Sequence, residues 1–289
     1  MPTFGAERAV TTFDTATPSV GRIELGEHIE VETHDCYDGQ VTGPDVLRPM
    51  IDMTRFNRAT GPIDLAGVRA GDWIRVVIEE ITVDDTGVMM LRPDIGILGP
   101  QVDELSTMIV DITDGRTATI AGVEVPIRPM IGVIGVAAQE PISSSTPGRH
   151  GGNLDTRIIT AGSEVLLRAQ RDGAGLALGD LHAAQGDGEL GGTGIEIGGC
   201  VRLTVERAEH SGTWPAVIAE DRLWVLASAD TLEEATRAAF ADVVELVRGA
   251  QGLTWGNAYR LASIVATTHI SQVVNPTVTV RVGVPLHLT

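Results

Sequence analysis

The chain has 289 residues, of which 43% are hydrophobic and 21% charged, a balance typical of folded proteins rather than disordered ones. Its 39 acidic and 21 basic residues give a formal net charge of −18, which repels phosphate backbones and anionic membrane surfaces. The longest apolar run, residues 130–138, is far shorter than the roughly 20 residues that a membrane-spanning helix needs, so we expect neither a nucleic-acid nor a membrane partner.

Short β-branched runs separated by turn residues fill most of the chain, a pattern typical of strands. In the first half they predict strands within residues 22–35, 72–85, 87–93, 117–129 and 130–138. In the second half they predict strands within residues 163–170, 175–184, 194–199 and 200–208. Both halves are expected to form antiparallel sheets.

Helical periodicity is confined to the last quarter of the chain. Asp230 or Thr231 is a candidate N-cap for an amphipathic helix that ends near Gly249. A second helix is predicted from Thr254 to about Ala266, and the tail VTVRVGVP returns to a strand. We therefore predict a mainly β (α+β) fold of packed, sandwich-like antiparallel sheets with a helical pair near the C-terminus. Residues 1–289 form a single unit in this interpretation, with two β-rich halves (about 1–140 and 141–289) as a possible subdivision.

Three polar clusters contain residue types that form active sites: residues 32–40, 140–155 and 179–189. On a strand, a period of two places Cys36 on the face opposite to Asp35. The D-x-H spacing places Asp180 and His182 side by side on one face, where both could bind one metal ion. Each cluster also fits a purely structural role, because acidic residues beside glycines commonly cap turns.

The absence of lysine restricts the chemistry, since all 21 basic residues are arginine. Arginine keeps its proton at working pH, so Schiff-base chemistry, Walker-type nucleotide binding and hydrolases built on Cys-Glu-Lys or Ser-Ser-Lys units are excluded. Cys36 and Cys200 are too few for a disulfide framework. No secretory signal pattern is found, so we expect a cytoplasmic protein.

Five segments resemble the acetamidase/formamidase family: THDCYDGQ (33–40), GPIDLAGVRAGD (61–72), STPGRHGGNLD (145–155), GDLHAAQGDGELGGTGIE (179–196) and ISQVVNP (270–276). The resemblance implies hydrolysis of acetamide or formamide to the carboxylate and ammonia. It also implies a β-rich fold and a cytoplasmic homodimer. Metals are associated with members of this family.

Amide hydrolysis needs a nucleophile, stabilisation of the oxyanion and an acid for the leaving nitrogen. We therefore hypothesise that Asp35, Asp180 and His182 bind a divalent ion, expected to be zinc, with calcium also possible. Glu140 is the first candidate for the general base and Glu189 the second.

The glycine-rich turn at residues 148–153 could offer main-chain N–H groups to the substrate. The candidate substrate-binding side chains are His34, His150, Asn153 and Asp155.

Two alternatives remain open at this point. In the first, Cys36 is a thiolate nucleophile activated by His34 or His182. In the second, the fold is a non-catalytic module that holds a structural calcium ion with acidic side chains. The residues of that calcium site would be Asp180, Asp187 and Glu189.

Overall fold

Strands dominate the architecture, and both α-helices lie in the last quarter of the chain. The computed structural model describes residues 1–289. The strands are β1 (Thr3–Phe4), β2 (Ala9–Val10), β3 (Thr12–Phe13), β4 (Gly21–Ile23), β5 (Ile29–Thr33), β6 (Ala59–Leu65), β7 (Trp73–Val83), β8 (Thr86–Leu91), β9 (Ser106–Thr113), β10 (Thr117–Ile120), β11 (Val123–Pro126), β12 (Met130–Val136), β13 (Ile142–Ser143), β14 (Gly151–Asn153), β15 (Glu164–Arg168), β16 (Ala174–His182), β17 (Glu196–Ile197), β18 (Gly199–Ala208), β19 (Ala216–Ala219), β20 (Arg222–Ala229), β21 (Thr267–Gln272) and β22 (Val278–Pro285). The helices are α1 (Leu232–Gln251) and α2 (Trp255–Val265), with short 3-10 helices at Ala6–Arg8, Arg48–Met50, Met53–Arg55, Gly99–Gln101 and Leu286–Leu288.

Two large sheets organise these strands. The first has nine strands in the order β1-β5-β18-β7-β15-β19-β20-β22-β21. The second has eleven, with the path β11-β10-β9-β8-β17-β16-β12-β14 and with β6 joining β16 to β2 and β4. All pairs are antiparallel except β1 with β5 and β4 with β6. Both sheets contain strands from either side of residue 140, so the two sequence halves are interleaved within each sheet.

The largest apolar core has 35 buried residues and contains side chains from both large sheets. In β7 the alternating residues Ile74, Val76 and Ile78 are completely buried in it. In β16 Leu176 and Leu178 contribute from the other sheet. Burial of each such side chain stabilises the fold by about 1.5–3 kcal/mol relative to its exposure, so this core holds the two sheets together.

The helices form on the pattern that the sequence predicts. Thr231 and Thr254 are their N-caps, and each side chain accepts a hydrogen bond from the main-chain N–H three residues later. Helix α1 extends beyond Gly249 and is terminated by Gly252, whose φ of 61° is the left-handed conformation of a C-cap. A second core, of 17 buried residues, packs the helices against β20 and β22. Neither helix combines the length and the apolar character that crossing a lipid bilayer requires.

The predicted fold class is therefore confirmed: the structure is mainly β and antiparallel, with a helical pair near the C-terminus. The sequence pattern did not predict β6, β9, β19, β20 and β21, nor the two- and three-residue strands β1, β2, β3, β13 and β14. Strand β6 contains Gly61 and Pro62, residue types that are depleted in strands, which explains why its sequence signal is weak.

Candidate active site

A cavity of about 370 Å³ lies where five loops meet the end of β16. Its lining comes from the segment after β5, the segment after β8, the end of β14, the loop before β17 and the loop between β21 and β22. The buried end of the cavity is formed by Asp155, Asp180, His182, Glu189 and Glu196. Four carboxylates therefore surround one imidazole, away from solvent.

The imidazole of His182 is the centre of this cluster. Its Nε2 atom lies 2.9 Å from Glu196 Oε2, 3.5 Å from Asp180 Oδ1 and 4.0 Å from Asp155 Oδ1. Atoms of Asp155, His182 and Glu189 also lie within 4.8 Å of one another. The D-x-H spacing thus brings Asp180 and His182 together, as the sequence predicts.

Two glycines leave the space that this cluster needs. A Cβ atom on Gly132 would lie 2.6 Å from Asp155 Oδ1 and 2.7 Å from Asp180 Oδ2. A Cβ atom on Gly194 would lie 2.6 Å from His182 Nδ1. Any larger residue at these positions would displace the site's own side chains.

Gln185 fixes the orientation and the tautomer of His182. Its Nε2 donates to the main-chain oxygen of Asp155 (2.7 Å), so its Oε1 is the acceptor that faces His182 Nδ1 at 2.8 Å. Nδ1 therefore carries a proton, and Nε2 is the ring atom that faces the carboxylates. An imidazole held in this way is typical of metal-binding histidines.

Asn275 orients the Asp155 carboxylate from the loop between β21 and β22. Its Nδ2 donates to Asp155 Oδ2 (2.6 Å) and to the main-chain oxygen of Asn153 (2.9 Å). Asn153 Nδ2 donates in turn to Asn275 Oδ1 (3.0 Å). One oxygen of Asp155 is thereby occupied, while Oδ1 remains directed at the cluster.

Burial and mutual repulsion shift the pKa values of three carboxyls upward. Burial, reinforced by the charge of Asp180, raises the pKa of Asp155 to about 6. Burial likewise raises the pKa of Asp180 to about 6, and it raises the pKa of Glu189 well above its usual value with help from Asp155.

His182 and Glu196 behave as an ion pair. Burial alone would lower the pKa of His182, but the charges of Glu196 and Asp180 outweigh it and raise that pKa well above the usual value. Burial alone would raise the pKa of Glu196, and the charge of His182 outweighs it, so that pKa is lowered. The cluster contains four acidic side chains and one imidazole, an excess of acidic groups that a divalent cation would neutralise.

Comparison with known proteins identifies the chain's relatives. The sequence profile described as "Acetamidase/Formamidase family" matches residues 7–149 and 137–211. The chain belongs to the acetamidase/formamidase family. This match confirms the family resemblance seen in the five sequence segments.

Solved structures of this family superpose on nearly the whole chain. An acetamidase from Bacillus halodurans is 37% identical with a TM-score of 0.96, over 99% of this chain and 97% of that one. A recombinant predicted acetamidase/formamidase from Thermoanaerobacter tengcongensis is 38% identical with a TM-score of 0.95, over 98% and 95%. A formamidase from Methylophilus methylotrophus is 26% identical over 65% of this chain and 61% of its own length. The chain spans about three fifths of the length of the curated relatives it matches.

For this acetamidase/formamidase family member, the structure brings five of the predicted site residues to the cavity: Asn153, Asp155, Asp180, His182 and Glu189. Glu140 is exposed and does not line the cavity. It lies a few residues after β12 and close in sequence to Asn153 and Asp155, but the fold does not bring it to the cavity. The structure therefore does not support Glu140 as the base.

Asp35 does not line the cavity either. Its Oδ1 accepts hydrogen bonds from the main-chain N–H groups of Tyr37 (2.8 Å) and Gly39 (3.1 Å), which makes it a turn-forming residue. The expected alternation of faces also fails here, because β5 ends at Thr33 and the chain then turns. Cys36 is consequently buried at the cavity while His34 is exposed outside it.

His150 is buried but does not line the cavity. Its ring contacts Phe13 edge to face, with centroids 5.0 Å apart, and burial lowers its pKa to about 4. In the glycine-rich turn, the N–H groups of Gly148 and Gly151 each donate to the other's carbonyl oxygen. The donors of these two glycines are thus already engaged within the turn.

The two alternative sites meet obstacles in the geometry. The Cys36 thiol lies near the Asp180 and Glu196 carboxylates, and burial together with those charges raises its pKa well above the usual value. This keeps it protonated, whereas a nucleophilic cysteine requires the thiolate. Asp187 is ion-paired with Arg281 at 2.8 Å and does not line the cavity with Asp180 and Glu189.

Gln185, Glu196 and Asn275 are site residues that the sequence did not predict. Each lies within a segment that carries the family resemblance, 179–196 or 270–276. Their position within these segments is the sequence signal that could have identified them as site residues. The roles of the three residues emerge only where loops distant in sequence converge.

Proposed function

We propose that this chain hydrolyses a short amide, acetamide or formamide in the simplest case, to the carboxylate and ammonia. The observation that carries the proposal is the buried cluster of four carboxylates around His182 in a family of acetamidases and formamidases. The amides named for the relatives, the absence of lysine and the cavity chemistry all agree with this reaction.

A divalent ion fits the buried end of the cavity. Two buried carboxylate oxygens there, Asp155 Oδ1 and Glu189 Oε2, have no hydrogen-bond partner. Asp180 Oδ1 and Glu196 Oε2 have only His182 Nε2 nearby, at 3.5 Å and 2.9 Å. Buried charged oxygens are costly without partners, so the set is suited to a cation. We assign its binding to Asp155, Asp180, His182 and Glu196.

The donor set favours zinc, because an imidazole with carboxylates is typical of catalytic zinc sites. An oxygen-rich set also accepts calcium, which is the second candidate. When bound, the ion supplies a Lewis acid for attack on the amide.

Glu189 is the residue that we place in the role of general base. Its carboxyl lies beside Asp155 and His182, and its raised pKa suits a group that accepts a proton from water and returns it to the leaving nitrogen. Asn275 and Gln185 position Asp155 and His182 but do not themselves transfer protons in this scheme.

The direct test is ammonia release from formamide, acetamide and propionamide by the purified protein, before and after chelation. Turnover that chelation abolishes and one added ion restores supports the proposal and names the ion. Turnover that survives chelation but is lost on alkylation with iodoacetamide would indicate that Cys36, rather than an ion-activated water, is the nucleophile. The absence of turnover on these three amides and on every anionic short amide overturns the proposed function, and calcium-dependent melting would then favour a binding module.

The expected homodimer has a suitable surface at β21, the edge strand of the nine-stranded sheet. Thr267, Thr268, His269 and Ile270 are all exposed, so neither face of this part of the strand is covered. Its free edge can pair with the same edge of a second copy and continue the sheet across a two-fold axis.

Charge favours a second copy at this surface. Residues 246–289 contain no aspartate or glutamate, although the whole chain has a net charge of −18. Two such chains repel each other least through this acid-free region. Helix α2 adds apolar side chains beside it, with Trp255 54% and Ile264 80% exposed.

The cytoplasmic location stays a prediction, which microscopy of a tagged chain would check.

A further inference from the structure

The cavity has two regions of opposite charge. Its buried end contains the carboxylate cluster, whereas its half-buried lining includes two arginines, Arg48 and Arg92. Uncharged formamide and acetamide have no anionic group that would form an ion pair with a guanidinium. The second region therefore requires its own explanation.

Neither arginine is neutralised by a carboxylate. Arg48 and Arg92 form no salt bridge within 4.0 Å, and their guanidinium groups form no hydrogen bond. By contrast, Arg55 and Arg58, which follow Arg48 closely in the chain, both pair with the buried Asp38. The two cavity arginines thus keep their full positive charge available to an occupant.

Arg48 is held in place without losing that charge. Its Cζ atom lies 3.9 Å from the ring centroid of Phe56 and 5.5 Å from that of Tyr37, two aromatic residues that also line the cavity. Stacking on rings orients a guanidinium while leaving its N–H edge free for an acceptor. A planar carboxylate is the acceptor that such an edge pairs with best.

The size of the cavity leads to the same conclusion. At about 370 Å³ it falls in the range of sites that enclose ligands of many atoms, and acetamide fills only a small part of it. An occupant that places its amide at the buried carboxylates still has room to extend to the arginines.

We propose that the preferred substrate is a short amide that carries a carboxylate at its other end, with that carboxylate bound by Arg48 and Arg92. This inference rests on the proposed amide hydrolysis and names its substrate class. The arginines offset the repulsion that the buried acidic cluster exerts on an anionic substrate, and they select against neutral amides.

The test compares each anionic amide with a neutral diamide of the same length: malonamate with malonamide, and succinamate with succinamide. Charge-assisted hydrogen bonds give an expected preference of about tenfold or more in kcat/KM for the anionic member of a pair. The preference should fall as the salt concentration rises, because part of the attraction is screened.

Variants locate the preference in the protein. Arg92→Gln and Arg48→Gln should each lower the ratio of anionic to neutral kcat/KM, chiefly by raising KM for the anionic amide. Arg92→Lys should retain part of the ratio. Arg116→Gln is the matched control, because Arg116 is an exposed arginine without a salt bridge that lies outside the cavity. If Arg48→Gln fails to fold, the Arg92 variants and the salt dependence still decide the question.

The outcomes separate the two proposals. A wild-type protein that hydrolyses the neutral diamides as well as their anionic partners overturns the substrate class but leaves amide hydrolysis standing. An anionic preference that survives both arginine substitutions overturns the assignment to Arg48 and Arg92. No ammonia from any amide overturns the proposed function itself.

Discussion

Gln185 Oε1 lies 2.8 Å from His182 Nδ1, and this contact directs His182 Nε2 towards the buried carboxylates. Gln185→Leu should therefore lower metal affinity and kcat by about 10–100-fold, because partners of this kind maintain the tautomer and angle of a ligating histidine. Metal titration by calorimetry, together with ammonia release, measures both effects. Gln101→Leu, at an exposed glutamine, is the control. Equal affinities in the two variants would show that Gln185 does not position the imidazole.

Glu189→Gln should reduce kcat by about 10²-fold or more, since positioned proton transfer is worth that much. Metal binding should change less than kcat, because Glu189 is the proposed base rather than a proposed ligand. Glu140→Gln removes the same charge from an exposed position outside the cavity and should retain the wild-type rate. The reverse result would restore the interpretation drawn from sequence alone.

Gly132→Ala should abolish most activity, because the new Cβ would lie 2.6 Å from Asp155 Oδ1 and 2.7 Å from Asp180 Oδ2. Overpacking of this kind also costs about 1–3 kcal/mol of stability. Gly249→Ala in α1 meets no atom within 4 Å and should stabilise the protein by roughly 0.5–1 kcal/mol through helix propensity. Thermal unfolding and ammonia release separate the two substitutions. A fully active Gly132→Ala would mean that the carboxylates tolerate displacement.

His150 should make folding stability depend on pH. Burial lowers its pKa to about 4 in the folded state, against about 6.5 when the chain is unfolded. Above pH 6.5 both states are neutral and this effect is absent. As pH falls towards 4 the unfolded chain gains the proton first, and about 3 kcal/mol of stability is lost. Urea unfolding of wild type and His150→Gln at pH 7 and pH 5 tests this, with a smaller loss expected in the variant. Equal losses of stability in the wild type and the variant would show that groups other than His150 cause the pH dependence.

Ile270→Lys should convert the expected dimer to a monomer, because it places a charge in the middle of the exposed edge strand β21. Val123→Lys adds the same charge at a similarly apolar exposed position in β11 and should leave the dimer intact. Sedimentation velocity distinguishes the two states. A monomeric wild type at micromolar concentration would contradict the proposed interface.

Local rules predicted both helices and most of the longer strands, but not β6, β9, β20 and β21. The caps Thr231 and Thr254 are visible in sequence because a helix start depends on a few adjacent residues. The Asp180–His182 contact was also predicted from the D-x-H spacing, although Asp180 has a φ of 55° and departs from regular strand geometry.

The remainder of the site depends on which loops meet, and that is decided by sheet order rather than by local pattern. Glu196 reaches His182 because β17 pairs with β16, and Asn275 reaches Asp155 across a sequence separation of 120 residues. Asp35 and Glu140 were predicted at the site because local pattern does not show which segments the fold keeps away from the cavity. A turn redirects the first, and the surface position of the second carries no sequence signature.

The placement of β18 between β5 and β7 has a consequence for biosynthesis. Strand β5 has β1 on one side, and its partner on the other side is β18, which the ribosome makes only after more than 160 further residues. Until then one hydrogen-bonding edge of β5 and of β7 lies open in the nascent chain, an arrangement that slows folding and favours aggregation. Shielding of those edges by chaperones during translation would therefore raise the yield of active protein, and a chain truncated before residue 199 should not fold.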